Sequence, residues 1–315
     1  MKFPFYPVLP IVRLPRLLAW TLALALPLAI HAADTGLTFA TPKAAVSALV
    51  AAVSTSNTNA LQDIFGPGAT DIENPDQVQA AREFAEFSAA LSLTNQLVPE
   101  SDVKYTLEVG AKSWPFPIPI VKSGDRWFFD TAAGKDEILN RRIGENELAT
   151  LDSVRAYVAA QREYAAKDRN GDGVLAYAQK IISSPGAKDG LYWSPDLDGE
   201  ISPLGPLVAQ AETEGYTVHV KGSAPQPFHG YFFKVLKQQG AAAPGGKYCY
   251  IINGHMIAGF ALVAWPAAYG QSGIMTFIVN QQGRVYQKDL GPKTAKIAAS
   301  LKTYNPDPTW IVSPD

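Results

Sequence analysis

Apolar positions along the chain first recur at helical spacing and later at every second residue. Between Phe39 and about Leu93 the period is helical. Thr41 is a helix cap followed by Pro42 in the first turn, and Ala45, Leu49, Ala52 and Val53 fall on one face. A second short helix is predicted from Ala60 to Phe65, stopping at the turn sequence Gly66-Pro67-Gly68, and a third from Pro75 to Leu91. The period then drops to two. Val103 to Val109 reads as a strand, and in the next run Trp114, Phe116, Ile118 and Ile120 alternate with Pro115, Pro117 and Pro119. Prolines at every second place strip N–H donors from one edge of an extended chain. They predict a sheet-edge strand that cannot recruit a foreign strand, with its even-numbered residues facing the core. Ser123-Gly124-Asp125 turns the chain into a returning strand, Arg126 to Asp130.

A long helix is expected next, with Leu148, Leu151, Val154, Val158 and Ala165 on one stripe, then a loop, then a second helix through Tyr177 and Ile181 that ends at Ser184-Pro185-Gly186. The remainder is mostly strand: Tyr216 to Val220, His229 to Leu236, Tyr248 to Ile252 and Gly259 to Trp265. Gly273 to Asn280 and Arg284 to Lys288 form a hairpin around Gln281-Gln282-Gly283, and a final helix spans Thr294 to Leu301. The expected fold is α+β in three parts. Helices on a curved antiparallel sheet occupy residues 37–145, a helix–loop–helix connector 146–185, and an antiparallel β-rich domain 186–315. Helices packed on a sheet that ends in such a hairpin look like the NTF2-like cone, a fold that hosts enzymes and passive binders alike. In the last part, a strand beginning Gly230-Tyr231, an apolar strand ending Trp265-Pro266 and a hairpin carrying Phe277 and Tyr286 are similar to the heads of pilin-like proteins.

The N-terminus changes the picture of where this fold forms. Lys2, Arg13 and Arg16 precede an apolar run from Leu17 to Ile30, with small residues at Ala32 and Ala33 and no acidic residue before Asp34. These are the parts of a cleavable secretion signal over residues 1–33. The run is too short, and too interrupted by Pro27, for a membrane span. The expected location is periplasmic or secreted. Cleavage would remove three of 27 basic residues and none of 29 acidic ones, moving the formal charge from −2 to −5. A mildly acidic chain without basic runs has no electrostatic footprint for nucleic acid. With Cys249 alone, no internal disulfide can form. Its place in Tyr248-Cys249-Tyr250-Ile251-Ile252 predicts a buried strand thiol.

One motif carries metal chemistry. Asp168-Arg169-Asn170-Gly171-Asp172-Gly173 matches the start of an EF-hand loop, with oxygen side chains at places one, three and five and glycine for the turn. Val174 would add its carbonyl from the seventh place. The ninth place is Ala176, and the twelfth is Gln179 where a bidentate Glu is expected, so the calcium site read from Asp168, Asn170, Asp172, Val174 and Gln179 is weak and structural. The competing reading is a polar connector whose Asp and Asn residues cap helices.

Other constellations are thin. His219, His229 and His255 lie on separate segments without zinc spacing. Gly270-Gln271-Ser272-Gly273 lacks the final glycine of a nucleophile elbow, and Gly291-Pro292-Lys293-Thr294 is not a phosphate loop. Asp196, Asp198 and Glu200 could supply paired carboxylates, though a solvated turn explains them more simply. Arg141-Arg142, beside Glu145 and Glu147, could grip an anion or simply pair along a helix surface.

The strings WPFPIPIV, EILNRRIGENEL, AYVAAQREYAAKDRNGDGVLAYAQ, GLYWSP, SPLGPLVA, HGYFFKVL, GFALVAWPAAYG and GIMTFIVNQQGRVYQKDLGP, in that order, resemble an exported bacterial protein family of the domain-of-unknown-function 2950 type. That resemblance implies secretion and no established activity, so no catalytic residue is carried over. It also implies an acidic residue where this chain has Ala176, which weakens the calcium case. Two functions follow as expectations. The first is a non-enzymatic envelope protein that binds another protein or a surface polymer through its β-rich half. The second is a hydrolase or small-ligand-binding enzyme using the cavity of the first half, to be recognised by titratable residues converging inside it.

Overall fold

Helix α1 (Pro42–Ser54) starts where the sequence places it. Thr41 accepts the Ala44 amide at 3.1 Å, and the proline occupies the first turn, where its missing N–H leaves nothing unsatisfied. Its stripe of Ala45, Val46, Leu49, Ala52 and Val53 is buried. Each large aliphatic there contributes roughly 1.5–3 kcal/mol of burial. The protein, a computed structural model, is described over residues 35–169, 171–197, 199–217 and 226–314. The expected secretion signal, Asn170, Asp198, His219 and most of the expected strand from Tyr216 lie outside the described residues.

Helices α2 (Thr58–Phe65) and α3 (Gln77–Leu93) follow. An antiparallel sheet is then built from β1 (Asn95–Ser101), β2 (Lys104–Val109), β3 (Trp114–Pro115), β4 (Ile120–Ser123) and β5 (Arg126–Phe129), in the order β1-β2-β4-β5 with β3 also on β2. The β4–β5 hairpin pairs Ser123 with Arg126 and turns through Gly124 at φ 58°. The proline run meets the expectation of an edge only at its start: β3 pairs with β2 alone, whereas β4 lies between β2 and β5. Pro117 and Pro119 cost the sheet no ladder bond because the run leaves strand geometry between residues 116 and 119. Its remaining groups still find partners: Phe116 donates to the Leu107 carbonyl at 2.7 Å, and the Pro119 carbonyl accepts from Asp130 at 2.9 Å. Ile118 and Ile120 are buried as predicted, whereas Trp114 is exposed.

Helix α4 (Thr131–Tyr164) has 34 residues, about 50 Å of rise, and is shared between two cores. Ile138 packs on the first, formed by α1–α3 and the sheet; Leu151, Val154, Tyr157, Val158 and Tyr164 belong to the second. The chain after the Asp168 loop is irregular, with isolated bridges at Tyr177 and Ile182, and not the expected helix. Tyr177 donates to Met256 at 2.8 Å, Ala178 to the Gln161 side chain at 2.9 Å, and Ser183 to Tyr192 at 2.8 Å. Those backbone groups are satisfied by distant partners, and that outweighs a local helical preference.

Helix α5 (Gly205–Thr213) precedes β6 (Tyr231–Leu236). Small ladders join β7 (Gln238–Gln239) to β8 (Tyr248–Cys249) and β9 (Ile251–Ile252) to β10 (His255–Met256). With β11 (Ala261–Pro266), β12 (Met275–Asn280), β13 (Tyr286–Asp289) and β14 (Ile311–Val312), the second sheet runs β14-β13-β12-β11-β6. Helix α4 lies against β11 and β12, and α6 (Thr294–Ser300) against β11. Strand β11, with Ala261, Leu262, Val263 and Ala264 all buried, is therefore continuously apolar and does not alternate. Cys249 corrects another expectation: it is exposed, because the alternation of its strand turns the fully buried Tyr250 inward.

A buried polar seam joins the two cores. Asn146 accepts from Gln79 and donates to the Ser272 carbonyl, both at 2.9 Å. Asp76 accepts from the Gly230 amide at 3.0 Å and the Tyr216 hydroxyl at 2.9 Å, while Glu147 accepts from the amides of Ile274 and Met275 at 2.9 Å. The described fold is thus mixed helix and antiparallel sheet. Among the described residues no helix is long and apolar enough to cross a membrane.

Candidate functional site

Four residues of α3, Glu83, Glu86, Phe87 and Ala90, fall at helical spacing on one face and line a cavity of about 470 Å³. Val109, Trp114, Phe116 and Pro117 close it from the sheet, and Ile138, Arg141, Arg142 and Glu145 from α4. The proline run places its rings here. Phe116 stacks on Phe87 with centroids 5.1 Å apart, and Trp114 meets Phe116 edge-on at 6.5 Å. Arg141 lays its guanidinium 5.0 Å from the Trp114 ring centre, donates to Glu137 at 2.7 Å, and reaches the Pro115 carbonyl at 3.3 Å.

Arg142 is only 6% exposed. It donates to the carbonyls of Ile72 and Glu73 at 2.6 and 2.9 Å, while its Nε–H has no partner. Burial pulls its pKa down, with Glu83 opposing. Glu83 is raised above the ordinary carboxylate value by burial, against the Asn74 amide that donates to it at 3.2 Å and the Arg142 charge, with a smaller push from the like charge of Glu145. Glu145 is exposed at the rim. Titratable groups of both signs therefore converge on an aromatic wall. Of these, Arg141, Arg142 and Glu145 were visible in the sequence. Glu83 and Phe87 were not, although a carboxylate and a ring at i and i+4 on one helical face was an available signal.

The Asp168 loop is arranged differently. The two Asp168 oxygens accept the amides of Gly171 and Gly173, each at 2.8 Å, and Asp172 accepts the Val174 amide at 2.9 Å and faces His255 at 3.4 Å. Gln179 donates to the Gly254 carbonyl at 2.7 Å and accepts from Lys237 at 3.2 Å, so both ends of its amide are engaged away from Asp168. No group of three or more His, Cys, Asp or Glu that could hold a metal ion occurs among the described residues.

The other sequence candidates are dispersed. Glu200 accepts from Arg169, Lys188 and Lys167 at 2.5, 2.6 and 3.0 Å, and those bonds hold its pKa at about 2, the opposite of what a general acid needs. His229 lies 3.0 Å from Glu214 at φ 46°, and Glu214 also pairs with Arg82 at 3.1 Å. Ser272 is fully buried and donates to the Gly230 carbonyl at 2.9 Å, which makes it a strut of the seam.

Comparison with known proteins adds one finding. The model of a family described as "Protein of unknown function (DUF2950)" matches residues 37–312, so the chain belongs to that family. No curated protein and no solved structure matches the chain.

Proposed function

We propose that this member of the DUF2950 family is an exported envelope protein that binds a ligand in the pocket between α3, the proline run and α4. Export rests on the basic, apolar and small-residue pattern of residues 1–33. The observation that carries the binding reading is the meeting of Phe87, Trp114 and Phe116 with Glu83, Arg142 and Glu145 around about 470 Å³, a volume in the range of ligand sites. Binding is preferred to chemistry because the rings and charges are held by internal partners: Arg141 by Glu137, Arg142 by two carbonyls, Glu83 by Asn74. Such groups are preorganised for recognition. The reading treats residues 37–145 as NTF2-like, supported by helices over one antiparallel sheet, and keeps the pilin-like strand order of the second half as a likeness.

The test is retention. The mature protein is equilibrated with an extract of its native envelope, and bound molecules are identified by mass spectrometry beside the Trp114→Ala variant, which alters an exposed ring. A compound held by the wild type and released by the variant supports the reading; identical retention by both sinks it. The Asp168 loop is a separate, weaker proposal: a structural calcium site using Asp168, Asp172 and the Val174 carbonyl. Calorimetric calcium heats that are the same for wild type and Asp168→Ala would eliminate it.

A further inference from the structure

We infer that the occupant of the α3–α4 pocket is an organic cation, an ammonium group on an apolar or aromatic body, seated against Phe87, Trp114 and Phe116 with Glu83, Glu86 and Glu145 around its charge. This rests on the binding reading above and specifies its ligand.

The pocket is lined by three carboxylates and two guanidiniums. Both guanidiniums are already committed. Arg141 is paired with Glu137 and seated on Trp114, and Arg142 is sealed from solvent with two of its nitrogens on backbone carbonyls. Arg141 has no charged face to offer an anion without giving up a bond it already has, and the one open donor of Arg142, its Nε–H, is buried. The carboxylates are less engaged. Glu86 has only a 3.8 Å contact with Arg82, whose closer partner is Glu214. Glu145 makes no hydrogen bond or ion pair among the described residues. Glu83 is bonded by the neutral Asn74 amide, with Arg142 and Arg82 nearby opposing the like charge of Glu145.

A cation entering this space meets Glu86 and Glu145, carboxylates without a close cationic partner among the described residues, whereas an anion meets their like charge. The aromatic wall adds the same preference, because ring faces carry the negative end of their quadrupole. Arg141 on Trp114 is the protein's own instance of that contact. Three rings and about 470 Å³ leave room for a body of roughly one ring beside the charged group.

The experiment uses the full mature chain and three probes that share one body and differ in charge: phenethylammonium, phenethyl alcohol and phenylpropionate. Calorimetric titration should show the ammonium binding about tenfold more tightly than the alcohol, with the carboxylate weakest. Glu145→Gln, at an exposed position that leaves the core intact, should weaken the ammonium about three- to fivefold and leave the alcohol unchanged. Equal or tighter binding of phenylpropionate overturns the cation assignment and leaves the pocket as a ligand site. An ammonium preference that survives Glu145→Gln unchanged also overturns it. If none of the three binds, the binding reading falls with it.

Discussion

Two glycines on α4 set up an internally controlled test of how closely that helix approaches the proline run. A Cβ on Gly134 would lie 2.8 Å from Ile118 Cγ1, 2.9 Å from Ile118 Cα and 2.9 Å from the Pro117 carbonyl oxygen. A Cβ on Gly144 of the same helix would meet nothing within 4 Å. Replacing an exposed helical glycine by alanine stabilises by about 0.8–1 kcal/mol, so Gly144→Ala should gain that much. Gly134→Ala has the same propensity gain, opposed by overlap with backbone atoms that cannot rotate away. Overpacking of that kind costs about 1–3 kcal/mol, and two of the three clashing atoms are main chain, so the upper part of the range applies. The net is a loss of about 1–2 kcal/mol. In urea unfolding, with a slope of about 2–3 kcal/mol/M, Gly144→Ala should raise the midpoint by about 0.3–0.4 M and Gly134→Ala should lower it by about 0.5 M. A Gly134→Ala midpoint that rises as far as that of Gly144→Ala would refute the close packing of α4 on residues 117–118. That packing holds one wall of the pocket.

Three further expectations come from the seam and the surface. Asn146→Ala removes both bonds of the Gln79–Asn146–Ser272 chain and strands a buried donor and a buried acceptor, so it should cost about 2–4 kcal/mol in the same urea assay; a loss below 0.5 kcal/mol would show the seam to be dispensable. His229 has its pKa lowered, chiefly by burial, with Glu214 opposing and Arg82 assisting. Below about pH 6.5 the unfolded chain takes a proton that the folded state resists, so its contribution is full above that pH, declines as pH falls through it, and levels off below the folded pKa. The urea midpoint should therefore drop between about pH 7.5 and 5.5, by less in His229→Gln; an equal drop in both proteins excludes His229 as the source. Cys249, exposed on β8, should react with a thiol reagent in the native protein within about threefold of its rate in denaturant, and native protection of 100-fold or more would contradict its placement.

The local parts of the fold could be read directly from residues. Thr41-Pro42 announces α1, and Ser123-Gly124-Asp125 the β4–β5 hairpin. Asn280 followed by Gln281-Gln282-Gly283 announces the β12–β13 turn, where Gly283 takes φ 80°. Each is decided within a few residues of itself. Strand β1 escaped notice because its mostly exposed residues carry little alternation, and α5 because nine residues are too few to show a period. The pocket was half legible. Arg141, Arg142 and Glu145 stood out as a charged run, but that Glu83 and Phe87 face them depends on where α3 lands.

The sequence on its own therefore settled the α+β class, the family and the approximate limits of α2, α3 and α6, because caps, turns and periodicity act at short range. Only the folded chain could set β4 between β2 and β5, keep residues 174–183 out of a helix and turn Cys249 to solvent. In the first two cases the deciding partners lie outside the segment itself: β2 and β5 for β4, Met256 and Gln161 for Tyr177 and Ala178. In the third the inward side chain, Tyr250, is chosen by the core it meets, which includes Phe260 and Ala261. Buried polar groups must be satisfied and apolar faces covered, and which distant segment does so is a property of the assembled structure.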